Sequence, residues 1–168
     1  MPVTFKDIST GHTSIASDVA AVPRRDFFKL AMPITPLTLN STAADKQLVS
    51  AVTPTGLREI VDANIEKVWL VLALTLQNQF AGLNKVNGAQ SLQLQVDGGG
   101  YTTVATIPDD SLRMEVQGAS APLVLKLDVT SIVTNIDGSY DVKWVNADLD
   151  QDSAQLEGSV GVEYEYEA

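Results

Sequence analysis

From Lys46 onward, apolar and polar residues alternate with a period of two, which marks strands rather than helices. In "KVWLVLALTLQNQ", Leu70, Leu72, Leu74 and Leu76 fall on one face and Trp69, Val71 and Ala73 on the other. Both faces are apolar at its start, so it is expected to be a central strand covered on both sides. Shorter runs follow: "SLQLQV", "YTTVATI", "SLRMEV", "PLVLKLDV", "SYDVKWV" and "SVGVEYEYE". Gly98-Gly99-Gly100, Pro108-Asp109-Asp110, Gly118 and Asp137-Gly138 punctuate them as turns. Strands at this spacing predict an all-β domain, a β-sandwich of jelly-roll type over residues 46–168. Within it, "PTGLREIVDANIEKV" fits a helical stripe (Leu57, Ile60, Val61, Ile65, Val68) or a hairpin strand, so residues 54–65 stay open between the two.

Residues 1–45 have no sustained apolar period and are rich in Ser, Thr, Ala and Pro. Pro33 and Pro36 bias their preceding residues away from the helical region, so "AMPITPLTL" is expected to be extended. The segment reads as an N-terminal arm that is disordered alone or laid on another surface. Arg24-Arg25-Asp26-Phe27-Phe28-Lys29 also resembles a twin-arginine export signature, with cleavage near Ala44. The two prolines break the apolar helix that such a signal needs, which favours the arm. As an arm, it would dock through Phe27, Phe28 and Leu30, with Arg24 and Arg25 meeting an acidic partner. Burial of both Phe side chains would contribute on the order of 3–6 kcal/mol before ordering costs.

Composition narrows the chemistry. Cysteine is absent and the sole histidine is His12, which removes thiolate and His-based metal sites and the Ser-His-Asp triad. No cofactor and no enzymatic activity are expected. Net charge is -10, and residues 85–168 carry all of it, with four Lys/Arg against fourteen Asp/Glu. Such a chain repels nucleic acid and anionic membrane, and its apolar runs fall short of the ~20 residues of a membrane helix. Such acidity reads first as a means of solubility, and alternatively as an acidic half that faces solvent while the neutral half faces a partner. Glu163, Glu165 and Glu167 should form a solvent-facing acidic row on the last strand, resisting edge-to-edge pairing. "DLDQDSAQLEG" offers Asp148, Asp150 and Asp152 as oxygen ligands for a hard cation. Ser153 and Ser159 stand where an EF-hand needs Gly and Glu, so a solvated loop is preferred and no metal is expected.

Two resemblances bear on function. "LKLDVTSIVTNIDGSYDVKWV" (Leu125–Val145) resembles the closing strands of galactose-binding-like jelly rolls, which implies a carbohydrate-binding module or adhesin. The residues themselves suggest a structural role, with Asp128 and Thr130 capping a turn while Val129 and Ile132 point inward. The extended arm, acidic cysteine-free sandwich and lack of a catalytic constellation resemble small β-sandwich proteins of tailed-bacteriophage virions, such as capsid decoration (cement) proteins. That resemblance implies a structural virion protein assembled in the host cytoplasm, with capsid or other virion proteins as partners. A connector, collar or tail role within the virion is a further alternative. A strand apolar on both faces argues for a homo-oligomer, with a trimer favoured because shells offer three-fold sites.

Overall fold

The computed structural model describes residues 25–52, 65–78, 83–114, 118–133, 138–150 and 153–167. Ten strands are seen there: β1 (Arg25–Pro33), β2 (Leu37–Leu39), β3 (Ala44–Val52), β4 (Ile65–Asn78), β5 (Gln90–Val96), β6 (Thr102–Ile107), β7 (Gly118–Ala119), β8 (Leu123–Asp128), β9 (Tyr140–Ala147) and β10 (Ala154–Glu167). No helix occurs among the described residues. Of the segment left open between helix and strand, Ile65 opens β4 and residues 54–64 lie outside the described residues.

All pairing is antiparallel, in two sheets. One has the order β1-β10-β4-β7, with β2 also on β10 and β8 also on β4; the other has the order β3-β9-β5-β6. From β3 onward the chain changes sheets at most connections, and only β5–β6 and β7–β8 stay within one. Successive crossings of this kind define the jelly roll. The fold class expected from the alternation is therefore the fold observed.

Period-two patterning builds the core directly. On β4, Val68, Leu70, Leu72, Leu74 and Leu76 are buried facing the second sheet, whereas Trp69, Val71 and Ala73 are half-buried on the outer face. The register sets Leu156, Val160, Val162 and Tyr164 of β10 opposite Leu76, Leu72, Leu70 and Val68. The second sheet contributes Leu92, Leu94, Tyr140, Val142 and the fully buried Trp144. Gly158 breaks the β10 row at a φ of +146°, and an added Cβ would strike the Ala73 carbonyl on β4. Only glycine suits that position.

Two sequence expectations change. "SLRMEV" is not a strand over its described part: Asp110 and Leu112 take positive φ (62° and 51°), which breaks the extended run. Leu112 and Met114 instead plug one end of the core, Met114 through a single bridge to Asn84. The acidic row also differs. β10 lies between β1 and β4 rather than at an edge, and Glu163 is 5% exposed and ion-paired with Lys126.

Candidate functional site

The docking residues read from the sequence fall on β1, with Arg24 just outside the described residues. β1 is extended, as its composition indicates, and runs along β10. The register divides the residues into two rows. Arg25, Phe27 and Lys29 stand opposite Glu167, Glu165 and Glu163, and Phe28 and Leu30 opposite Tyr164 and Val162. In the first row two of the three pairs, Arg25–Glu167 and Lys29–Glu163, match a basic with an acidic residue, and the second row matches apolar residues with Tyr164 and Val162. Pro33 and Pro36 bracket the break before β2, a position compatible with a missing N–H donor. Across the break, the Ile34 N–H donates to the Gly158 carbonyl at 2.9 Å. Among the described residues no strand pairs with the other side of β1, so the sheet ends there in an open backbone edge.

Beside β1, the outer face of the same sheet carries a cluster that the alternation alone did not reveal. Lys67 and Lys126 lie 5.3 and 4.9 Å from the centre of the Trp69 ring. Lys126 pairs with Glu163 and Lys67 with Asp128, each at 2.8 Å. The Lys67 ammonium, helped by the Thr130 hydroxyl and N–H, holds the Asp128 carboxyl down at about 2. Asp128 and Thr130 also close the turn after β8, where Val129 is buried, as the sequence suggested. The signal for this cluster lay in residues spaced two apart on three strands, legible only once the register places the strands side by side.

The acidic candidates sit at the other end of the sandwich. Asp148 Oδ2 accepts the Asn87 side-chain amide at 3.0 Å, and Asp150 Oδ1 accepts the Lys85 N–H at 3.0 Å. Leu149 between them is buried. Asp152 lies outside the described residues. Both described carboxylates thus staple the β9–β10 connection to the β4–β5 connection, and no group of residues able to hold a metal occurs among the described residues. Buried Gln90 completes the link. Its oxygen accepts from Trp144 Nε1 at 2.7 Å, and its amide donates to the Asn87 and Asp148 carbonyls. Nearby, the Arg113 guanidinium and, to a lesser degree, Lys85 lower the Asp110 carboxyl below its ordinary range.

No protein-family model and no curated protein matches the sequence. Among solved structures, the chain is similar to the VP2 subviral particle of infectious bursal disease virus, with a TM-score of 0.43 and 15% identity over 86% of this chain and 33% of that one. It is likewise similar to the Gx strain of that virus, with a TM-score of 0.42 and 17% identity over 83% of this chain and 32% of the other. The chain spans about a third of the length of the solved chains it matches.

Proposed function

We propose that this protein is a non-enzymatic structural component of a virus particle, a capsid decoration or cement protein that clamps neighbouring shell subunits through its N-terminal segment. The observation that carries this reading is the strand order β1-β10-β4-β7, with β8 also on β4, over β3-β9-β5-β6. Jelly rolls of that kind serve as viral capsid domains, lectins and cupins, so the argument is one of fold analogy narrowed by chemistry. A cupin holds its metal with histidines, and the lone histidine here is His12. A lectin stacks sugar on an open aromatic face. Exposed Tyr101 has Lys143 lying 4.3 Å over its ring, which occupies that face. The virion role remains, with Arg24, Arg25, Phe27, Phe28 and Leu30 as the segment that meets the partner. Within that role the protein acts as a homo-oligomer, a trimer at three-fold positions of the shell.

Quantitative mass spectrometry of gradient-purified particles, with immunogold labelling of intact ones, tests the proposal. The expected result is a fixed stoichiometry to the major shell protein and gold on the particle surface. Absence from particles, together with retention on a glycan array, would replace it with the carbohydrate-binding reading.

A further inference from the structure

Asn87-Gly88 is the only Asn-Gly pair in the chain, and it sits at the junction that joins the β4–β5 and β9–β10 connections. Both residues are exposed. Gly88 has a φ of +72°, and the space where a Cβ would stand is open. Two carboxylates hold the pair: Asp109 Oδ1 accepts the Gly88 N–H at 2.9 Å, and Asp148 Oδ2 accepts the Asn87 amide at 3.0 Å. The other oxygen, Asp148 Oδ1, is buried and has no hydrogen-bond partner among the described residues. Asn87 also carries backbone contacts of the junction, donating to the Asp148 carbonyl at 3.1 Å and accepting from Gln90 at 2.9 Å.

We infer that Asn87 is a site of spontaneous deamidation, and that this modification irreversibly releases the latch between the two connections. Asparagine amides are among the chemically labile groups of proteins. Here the Gly88 nitrogen attacks Asn87 Cγ, forming the C–N bond of a five-membered succinimide. The Cγ–Nδ2 bond breaks, and the proton from the Gly88 N–H, relayed through Asp109 or water, ends on the departing ammonia. Water then opens the imide at either carbonyl, leaving aspartate or isoaspartate. Either product removes the amide donor from Asp148 Oδ2 and sets a second carboxylate against Asp148, an acceptor facing an acceptor. Isoaspartate also adds a methylene to the backbone and shifts the Asn87 contacts with Gln90 and Asp148. The modification adds negative charge to a chain already at -10. It acts as a slow one-way change in the loops of this end.

The test ages the full-length chain under mildly alkaline conditions, beside the same chain unfolded in urea and an Asn87→Gln variant, which lacks the five-membered route. Peptide mapping with isoaspartyl methyltransferase labelling reads residue 87. Amide hydrogen exchange reads Asn87, Leu149 and Asp150. The expected result is isoaspartate at position 87 in the folded chain and none there in the Gln variant. Faster exchange at Asn87 and Asp150 should appear in both the aged chain and Asn87→Asp. An Asn87 still intact in the folded chain when the unfolded chain has converted would overturn the inference, because the fold would then protect the amide. Conversion with unchanged exchange at Asp150 would overturn the latch.

Discussion

Within the core, Tyr140 of one sheet and Tyr164 of the other bring their hydroxyls to 2.7 Å, and both rings are buried. This is a polar tie between two apolar layers, and buried hydroxyls are costly when their partners are removed. Tyr164→Phe is expected to lower stability by about 1–2 kcal/mol in urea denaturation. The Tyr140→Phe, Tyr164→Phe double variant should lose less than the sum of the single variants, because they share one bond. On the surface, Asp128 behaves differently. Its carboxyl is held at about 2 against an ordinary 3.8, with Lys67 as the largest cause. A depressed carboxyl pKa contributes stability above the unfolded value, so this contribution is present above pH 3.8 and is lost as pH falls from 3.8 towards about 2. A carboxyl NMR titration should place the Asp128 midpoint near 2, and Lys67→Met should move it upward towards the ordinary value.

At the scale of elements, β10 organises the first sheet, accepting β1 and β2 on one side and β4 on the other. Gly158 lets β10 pass against β4. Gly158→Ala is expected to cost more than about 2 kcal/mol, from a forbidden φ and a backbone clash together. The β1 register separates two phenylalanines that the sequence could only treat alike. Phe28 stands opposite buried Tyr164 and Phe27 opposite Glu165. Phe28→Asp is therefore expected to lower the melting temperature, whereas Phe27→Asp should leave it nearly unchanged and weaken particle binding. A Phe27→Asp chain that melts early would assign both residues to the fold. Here the limit of sequence reading is visible. Alternation revealed the central β4, the buried rows of β5 and β9, and the sandwich class, because each depends only on neighbours along one strand. It could not reveal that β1 completes the sheet on β10, because RDFFKLAMP is too short and mixed to declare a face without its partner. The Trp69 cluster and the staples at Asp148 and Asp150 likewise depend on which strands and loops become neighbours.

For the whole molecule, the charge asymmetry along the sequence does not become an asymmetry in space. Both halves of the chain supply strands to both sheets, and β1 of the neutral half lies along β10 of the acidic half. The acidity is therefore a general surface property that favours solubility, and in the proposed virion role partner choice would fall to specific edges. The open side of β1 is such an edge. If the protein works as a homo-oligomer, sedimentation of the full-length chain at micromolar concentration should show a closed trimer. A monomer would make assembly dependent on the shell. The most direct test of the structural virion role is cross-linking mass spectrometry on intact, gradient-purified particles with a lysine-reactive reagent. Links from Lys6 and Lys29 to the major shell protein are expected, at abundance matching a fixed copy number per particle. Particles that lack the chain, or that show it linked only to itself, would contradict it.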